Sequence, residues 1–108
     1  MAEQRELKTE FFCDLAAMNA EQRARYRHIT QQMRAATPVI EELADGYTLR
    51  FDMDSSLCLI VAEFITLERL CCSFLDLRLE VAREGGPMQL KLTGSEGGKQ
   101  FLRMELGL

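Results

Sequence analysis

The hydrophobic period of this chain changes abruptly near residue 73. Over residues 57–72 the apolar side chains Leu57, Ile60, Val61, Phe64, Ile65 and Leu67 recur every three or four positions. At about 100° per residue they fill one broad arc of a helix. From Leu75 onward the spacing is two: Leu75, Leu77, Leu79 and Val81 alternate with Asp76, Arg78, Glu80 and Ala82. Such alternation is that of a strand with one buried face. A one-faced helix running straight into a one-faced strand requires a layered fold in which the two apolar faces meet.

The remaining segments extend the pattern. Gly85-Gly86-Pro87 marks a turn, and Met88, Leu90 and Leu92 alternate with Gln89, Lys91 and Thr93 on a returning strand. One polar and one apolar face indicate an antiparallel sheet wetted on one side. Upstream, residues 39–43 and 47–51 flank Ala44-Asp45-Gly46, a hairpin signal resting on the positive φ that glycine accepts. Asn19 reads as a helix cap with Gln22 completing a capping box, and that helix runs through Arg25, Ile29 and Met33 to about Ala36 before Pro38 ends it. Asp54 and Ser55 cap the 57–72 helix. Thr93-Gly94-Ser95-Glu96 opens a last helix expected to carry Phe101, Leu102 and Met104 on one side. Residues 8–15 (KTEFFCDL) read as a strand or the start of a helix, with a short strand ending near Cys13 preferred. The expectation is an α+β fold, an antiparallel sheet of four or five strands with three helices packed mainly on one face, in a single domain spanning 1–108.

Composition narrows the function. With 47% hydrophobic and 28% charged residues the chain is of globular type. A net charge of −4 argues against nucleic acid, since phosphate recognition needs a positive surface. Arg23, Arg25, Arg27 and Arg34 read as the solvated face of a helix. No run approaches the roughly 18 apolar residues of a membrane span, and the charged start Met1-Ala2-Glu3-Gln4-Arg5-Glu6 is unlike a signal peptide. A cytoplasmic setting is expected, where thiols stay reduced.

In that setting Cys13, Cys58, Cys71 and Cys72 are ligand or redox candidates rather than bridges, although no CxxC spacing is present. Cys71 and Cys72 fall inside the apolar arc of the 57–72 helix. Glu68 lies near the middle of that arc, three and four positions before them, which puts all three on one surface. An ionised carboxylate at a core position is costly unless it is paired, protonated or set at a pocket. Two adjacent thiols offer soft sulfur donors for zinc, copper(I) or mercury(II). Cys13 is the candidate for a third thiolate. Glu68, raised in pKa by burial, is the candidate proton-exchanging acid or additional ligand. Against this stands ordinary packing: cysteine often behaves as a small buried hydrophobe, and Glu68 has Arg69, Arg50 and Arg78 as rim partners to choose from. Cys58, more than three turns upstream, is read as packing.

Other motifs are weaker. Gly94-Ser95-Glu96-Gly97-Gly98-Lys99 lacks the spacing and the Ser or Thr after Lys99 that a phosphate loop needs. His28, the single histidine, sits among Arg25, Arg27 and Gln31 on a polar face, which disfavours histidine triads. Met18, Met33, Met53, Met88 and Met104 are scattered and read as packing.

The run Leu67-Glu68-Arg69-Leu70-Cys71-Cys72-Ser73-Phe74-Leu75, with Asp45-Gly46-Tyr47 before it and Leu92-Thr93-Gly94-Ser95-Glu96-Gly97 after it, resembles a family of small bacterial proteins. Those carry a Glu-Arg-x-Cys-Cys-Pro-Phe type core and a Leu-Thr-Gly-Pro-Glu-Gly type start to the last helix. This chain has Ser73 and Ser95 where prolines are common, and the resemblance brings no activity with it. In chemistry alone, Cys13, Cys71 or Cys72, and Glu68 are similar to the two cysteines and acid of organomercurial lyase. The leading expectation is a domain binding a soft metal ion, a metalloid or a small thiophilic ligand through Cys71 and Cys72. The alternatives are a thiol enzyme, redox-active or organometal lyase-like, and a non-catalytic dimerisation domain, a homodimer, with structural cysteines.

Overall fold

The computed structural model describes residues 14–108. After a short 3-10 turn, Leu15–Ala17, helix α1 (Ala20–Ala35) leads to the hairpin β1 (Val39–Leu43) and β2 (Gly46–Phe51). Helix α2 (Ser55–Cys71) follows, then β3 (Asp76–Val81), β4 (Met88–Thr93) and helix α3 (Glu96–Glu105). The four strands form one antiparallel sheet in the order β1-β2-β4-β3. This is the expected α+β class, with four strands among the described residues. Of the strand expected over residues 8–15, the part up to Cys13 lies outside the described residues, and Leu15 belongs to the 3-10 turn.

Local chemistry sets each helix start. Asn19 and Gln22 form the expected capping box, with reciprocal bonds of 2.8 and 2.9 Å. Asp54 accepts from the Leu57 N–H at 2.8 Å and caps α2, and Ser95 caps α3. Each side-chain oxygen satisfies an amide that lacks a partner in the first helical turn.

Register aligns the apolar alternation of three strands. Tyr47 faces Leu92, which faces Leu77; Leu49 faces Leu90, which faces Leu79; Phe51 faces Met88, which faces Val81. The helices cover the β2–β4 part of this face, where Tyr47, Leu49, Phe51, Met88, Leu90 and Leu92 are buried. On the edge strand β3, Leu77 and Leu79 are half-buried and Val81 is 51% exposed, so the one-sided burial expected for that strand is incomplete. The opposite face carries Arg50, Lys91 and Glu80, which form surface ion pairs with one another or with Glu41.

Two expectations need correcting. Gly46 is not a positive-φ turn residue; among the described glycines that conformation belongs to Gly85 and Gly107. Gly46 is instead the first residue of β2, where a Cβ would lie 1.9 Å from the Leu92 carbonyl oxygen. Glycine is required by the close approach of β4. On α3, Leu102 is buried but Met104 is 82% exposed. Two positions along a helix are about 200° apart, so these two side chains cannot share a face.

The layering is uneven. Helix α2 packs on β3 and on the 3-10 turn, α3 packs on β2 and β4, and α1 packs chiefly on α2. The apolar floor of the β1–β2 half is therefore roofed at its edges by α1 and α3, and a cavity remains between them.

Candidate functional site

Helix α2 is built so that its last turn delivers three reactive side chains into the core. Val61, Phe64 and Leu67 bury the arc that faces the sheet, and Glu68 and Cys71 continue it. Glu68 and Cys71 are each 3% exposed and Cys72 is fully enclosed. The acid expected at a core position is thus buried in fact.

Cys72 leaves the helix. Its φ of −123° and ψ of 63° are not helical, while its N–H still donates to the Glu68 carbonyl at 2.7 Å. Adjacent side chains on a regular helix diverge by about 100°. The break in direction at Cys72 brings the two sulfurs to 3.8 Å instead. The reversal is secured on both sides: the Leu75 N–H donates to the Cys72 carbonyl at 3.2 Å, and the Asp14 N–H to the Cys71 carbonyl at 2.8 Å. Beyond it, Phe74 packs edge-on against Phe101 of α3 with ring centroids 5.2 Å apart.

The carboxylate closes the group. Glu68 Oε1 accepts from the Cys71 thiol at 3.5 Å and from the Tyr26 hydroxyl at 2.7 Å. One ligand atom from each of Glu68, Cys71 and Cys72 lies within 4.8 Å of the others, close enough to hold a metal ion. A cation there would meet a carboxylate and the partial negative charge of a helix C-terminus, both favourable.

Tyr26 was not among the residues singled out from sequence. It projects from α1, stacks on Phe64 with centroids 6.0 Å apart, and places its hydroxyl on Glu68. Burial first, and then the charge of Glu68, hold its hydroxyl well above the ordinary value of 10.0, so it stays a donor. A signal was available: Tyr26, Ile29 and Met33 form an apolar stripe at helical spacing, and a tyrosine in such a stripe needs a partner for its hydroxyl.

The other candidates fall into place. Cys58 is half-buried against the core and is not part of the Glu68 group. Cys13 lies outside the described residues. Arg50, weighed as a partner for Glu68, pairs with Glu41 at 2.8 Å on the far side of the sheet. Lys99 of the phosphate-loop look-alike is bound to Glu42 at 2.8 Å and lies over the Tyr47 ring, a structural role. His28 is exposed, as expected from its polar face.

Glu68 and Tyr26 also line the cavity between α1, α3 and the sheet. Its volume is about 910 Å³, and its wall is mainly apolar, with Met33, Leu49, Phe64 and Phe101 among the lining side chains. The exposed residues Arg34 and Glu105 stand at its rim. No helix among the described residues is long and apolar enough to cross a membrane. No protein-family model matches the chain, and no match was found among the curated proteins or the solved structures.

Proposed function

We propose that this protein is a thiol-based binding domain for a soft metal ion or metalloid, with Cys71 and Cys72 as the sulfur donors. The observation that carries this reading is the convergence of two buried sulfurs 3.8 Å apart beside a buried carboxylate. Two thiolates at about 2.3 Å from a tetrahedral zinc ion stand about 3.8 Å apart. The pair therefore needs little movement to take such an ion. A linear two-sulfur ion requires about 4.6 Å at the same bond length, so copper(I) or mercury(II) in that geometry would spread the pair.

Glu68 serves as third ligand or as the hydrogen-bonded acid beside the thiols, and Tyr26 orients it. Groups that orient ligands in this way commonly set metal affinity nearly as strongly as the ligands. Cys13 is the proposed extra thiolate. It is covalently joined to Asp14, whose N–H is bonded to the Cys71 carbonyl at 2.8 Å. A reducing compartment, the cytoplasm, suits thiols held for this purpose.

Native mass spectrometry under reducing conditions tests the reading, with zinc, copper(I) and mercury(II) titrated into the parent and its variants. One ion per chain is expected, with affinity lowered at least tenfold in Cys71→Ala/Cys72→Ala. Should that double variant bind all three ions as the parent does, the reading is wrong. Cys13→Ala reports separately on the third thiolate: an unchanged affinity confines the site to Cys71, Cys72 and Glu68.

A further inference from the structure

The apolar cavity and the thiol group share one residue. Glu68 Oε1 lies 3.5 Å from Cys71 Sγ, and the same side chain forms part of the cavity wall. A bare ion at the thiols has no use for a neighbouring space of about 910 Å³. Cavities of roughly 300–1000 Å³ with apolar walls and a few convergent polar groups are those that hold small organic molecules. Leu49, Phe64, Leu92 and Phe101 supply the apolar wall, and Tyr26 and Glu68 the polar groups. The natural occupant of such a wall is an apolar group, whose transfer from water is favourable.

We propose that the ligand is an organometalloid: an aryl or alkyl group carrying a trivalent, thiol-seeking centre, with the organic group in the cavity and the metalloid on Cys71 and Cys72. The proposal rests on the thiol-binding reading above and names the class of ligand for that same site. Adjacent sulfurs 3.8 Å apart can both bond to one atom. With an arsenic(III) oxide R–As=O as the case, two S–As bonds form while two S–H bonds and the As=O bond break. The two protons and the oxygen leave as one water, and no electrons are transferred. The organic group occupies the third valence of arsenic, so two thiols complete the coordination. Inorganic arsenite lacks that group and gains nothing from the cavity.

The test compares phenylarsine oxide, methylarsine oxide and arsenite on the full chain, with affinities read by competition against a small free dithiol. Two variants narrow the cavity without altering Glu68, Cys71 or Cys72: Thr30→Phe from α1 and Leu106→Trp from the end of α3, since both positions line it. In the parent, phenylarsine oxide should bind at least tenfold more tightly than methylarsine oxide, relative to the free dithiol. Each folded variant should lose about tenfold to a hundredfold in phenylarsine oxide affinity, the worth of burying one aromatic ring, with arsenite unchanged. Equal affinity for the phenyl and methyl compounds in the parent overturns the proposal and leaves the thiol reading standing. So does an equal loss of both phenylarsine oxide and arsenite in both variants, or no loss at all. If Cys71→Ala/Cys72→Ala keeps the parent's affinity for phenylarsine oxide, the thiol reading itself has failed. The parent comparison needs no substitution, so a variant that does not fold leaves the question decidable.

Discussion

The hydroxyl of Tyr26 on α1 donates to the Glu68 carboxylate on α2 across 2.7 Å, joining residues 42 positions apart. It is a part-buried polar link between these two helices, beside the stacked Tyr26 and Phe64 rings, and it adds to the more exposed Arg25–Glu63 ion pair that joins the same helices at 2.8 Å. It also holds the acid that stands between the thiols and the cavity. A hydrogen bond to a charged group in a buried setting contributes more than a neutral one at the surface.

Tyr26→Phe keeps the ring and removes the donor. Chemical denaturation is expected to show a loss of about 1.5–3 kcal/mol, the range for hydrogen bonds to charged groups. A loss below about 0.5 kcal/mol would mean that the Glu68 carboxylate does not depend on this hydroxyl.

The same contact has a pH signature. The folded state holds the Tyr26 proton above the ordinary value of 10.0, because of burial and of the charge on Glu68. Above about pH 10 the unfolded chain releases this proton and the folded chain does not. The contribution is therefore fully present below pH 10 and is lost as pH rises further. The difference in stability between parent and Tyr26→Phe should shrink as unfolding curves are recorded upward from pH 9.5. A constant difference would place the hydroxyl in water.

Glu68→Gln retains an acceptor for Tyr26 and Cys71 but removes the charge. It should fold, and it should bind zinc at least tenfold more weakly than the parent in a competition titration, within the range expected when a ligand or its neighbour is changed. Glu68→Ala also leaves a space in the packed interface of α1 and α2, and its melting temperature should fall below that of Glu68→Gln. Equal zinc affinity in parent and Glu68→Gln would remove the acid from the site.

Two glycines separate contact from conformation. At Gly46 an added Cβ meets the Leu92 carbonyl at 1.9 Å, so the β2–β4 pairing must part. At Gly85 an added Cβ meets nothing within 4 Å, and only its φ of 67° opposes substitution. Gly85→Ala should cost about 1 kcal/mol, and Gly46→Ala clearly more, about 3 kcal/mol or a loss of folding. Urea denaturation of both variants ranks them, and the reverse order would contradict the packing of β4 against Gly46.

On α3, Leu102→Ala removes a side chain that is 2% exposed, and Met104→Ala one that is 82% exposed. The first should cost about 2–4 kcal/mol and the second less than about 0.5 kcal/mol. Thermal melts of the two variants check which face of the helix docks.

The parts legible in the sequence are those carried by short-range spacing. The change of period marks the passage from α2 to β3, and the alternation of Leu90 and Leu92 assigns their face, because side-chain direction follows local backbone geometry. Asn19 with Gln22, and Asp54, mark helix starts for the same reason: cap and amide are within three residues. Glu68, Cys71 and Cys72 were visible as one surface because a helix places positions three and four apart together. What brought the two sulfurs to 3.8 Å was less visible, since the non-helical turn at Cys72 depends on how the chain beyond it packs on Phe101.

Sequence by itself determined the α+β class, the order of the elements from α1 onward and the burial of an acid beside two thiols, all consequences of local periodicity. Tertiary structure alone decided the partner of that acid, the reason for glycine at position 46 and the cavity at Glu68. Each of these depends on the distance between segments remote along the chain: α1 against α2, β2 against β4, and α1 with α3 over the β1–β2 floor. No local pattern encodes that distance. It is set by how the assembled apolar faces fit when they close over one another.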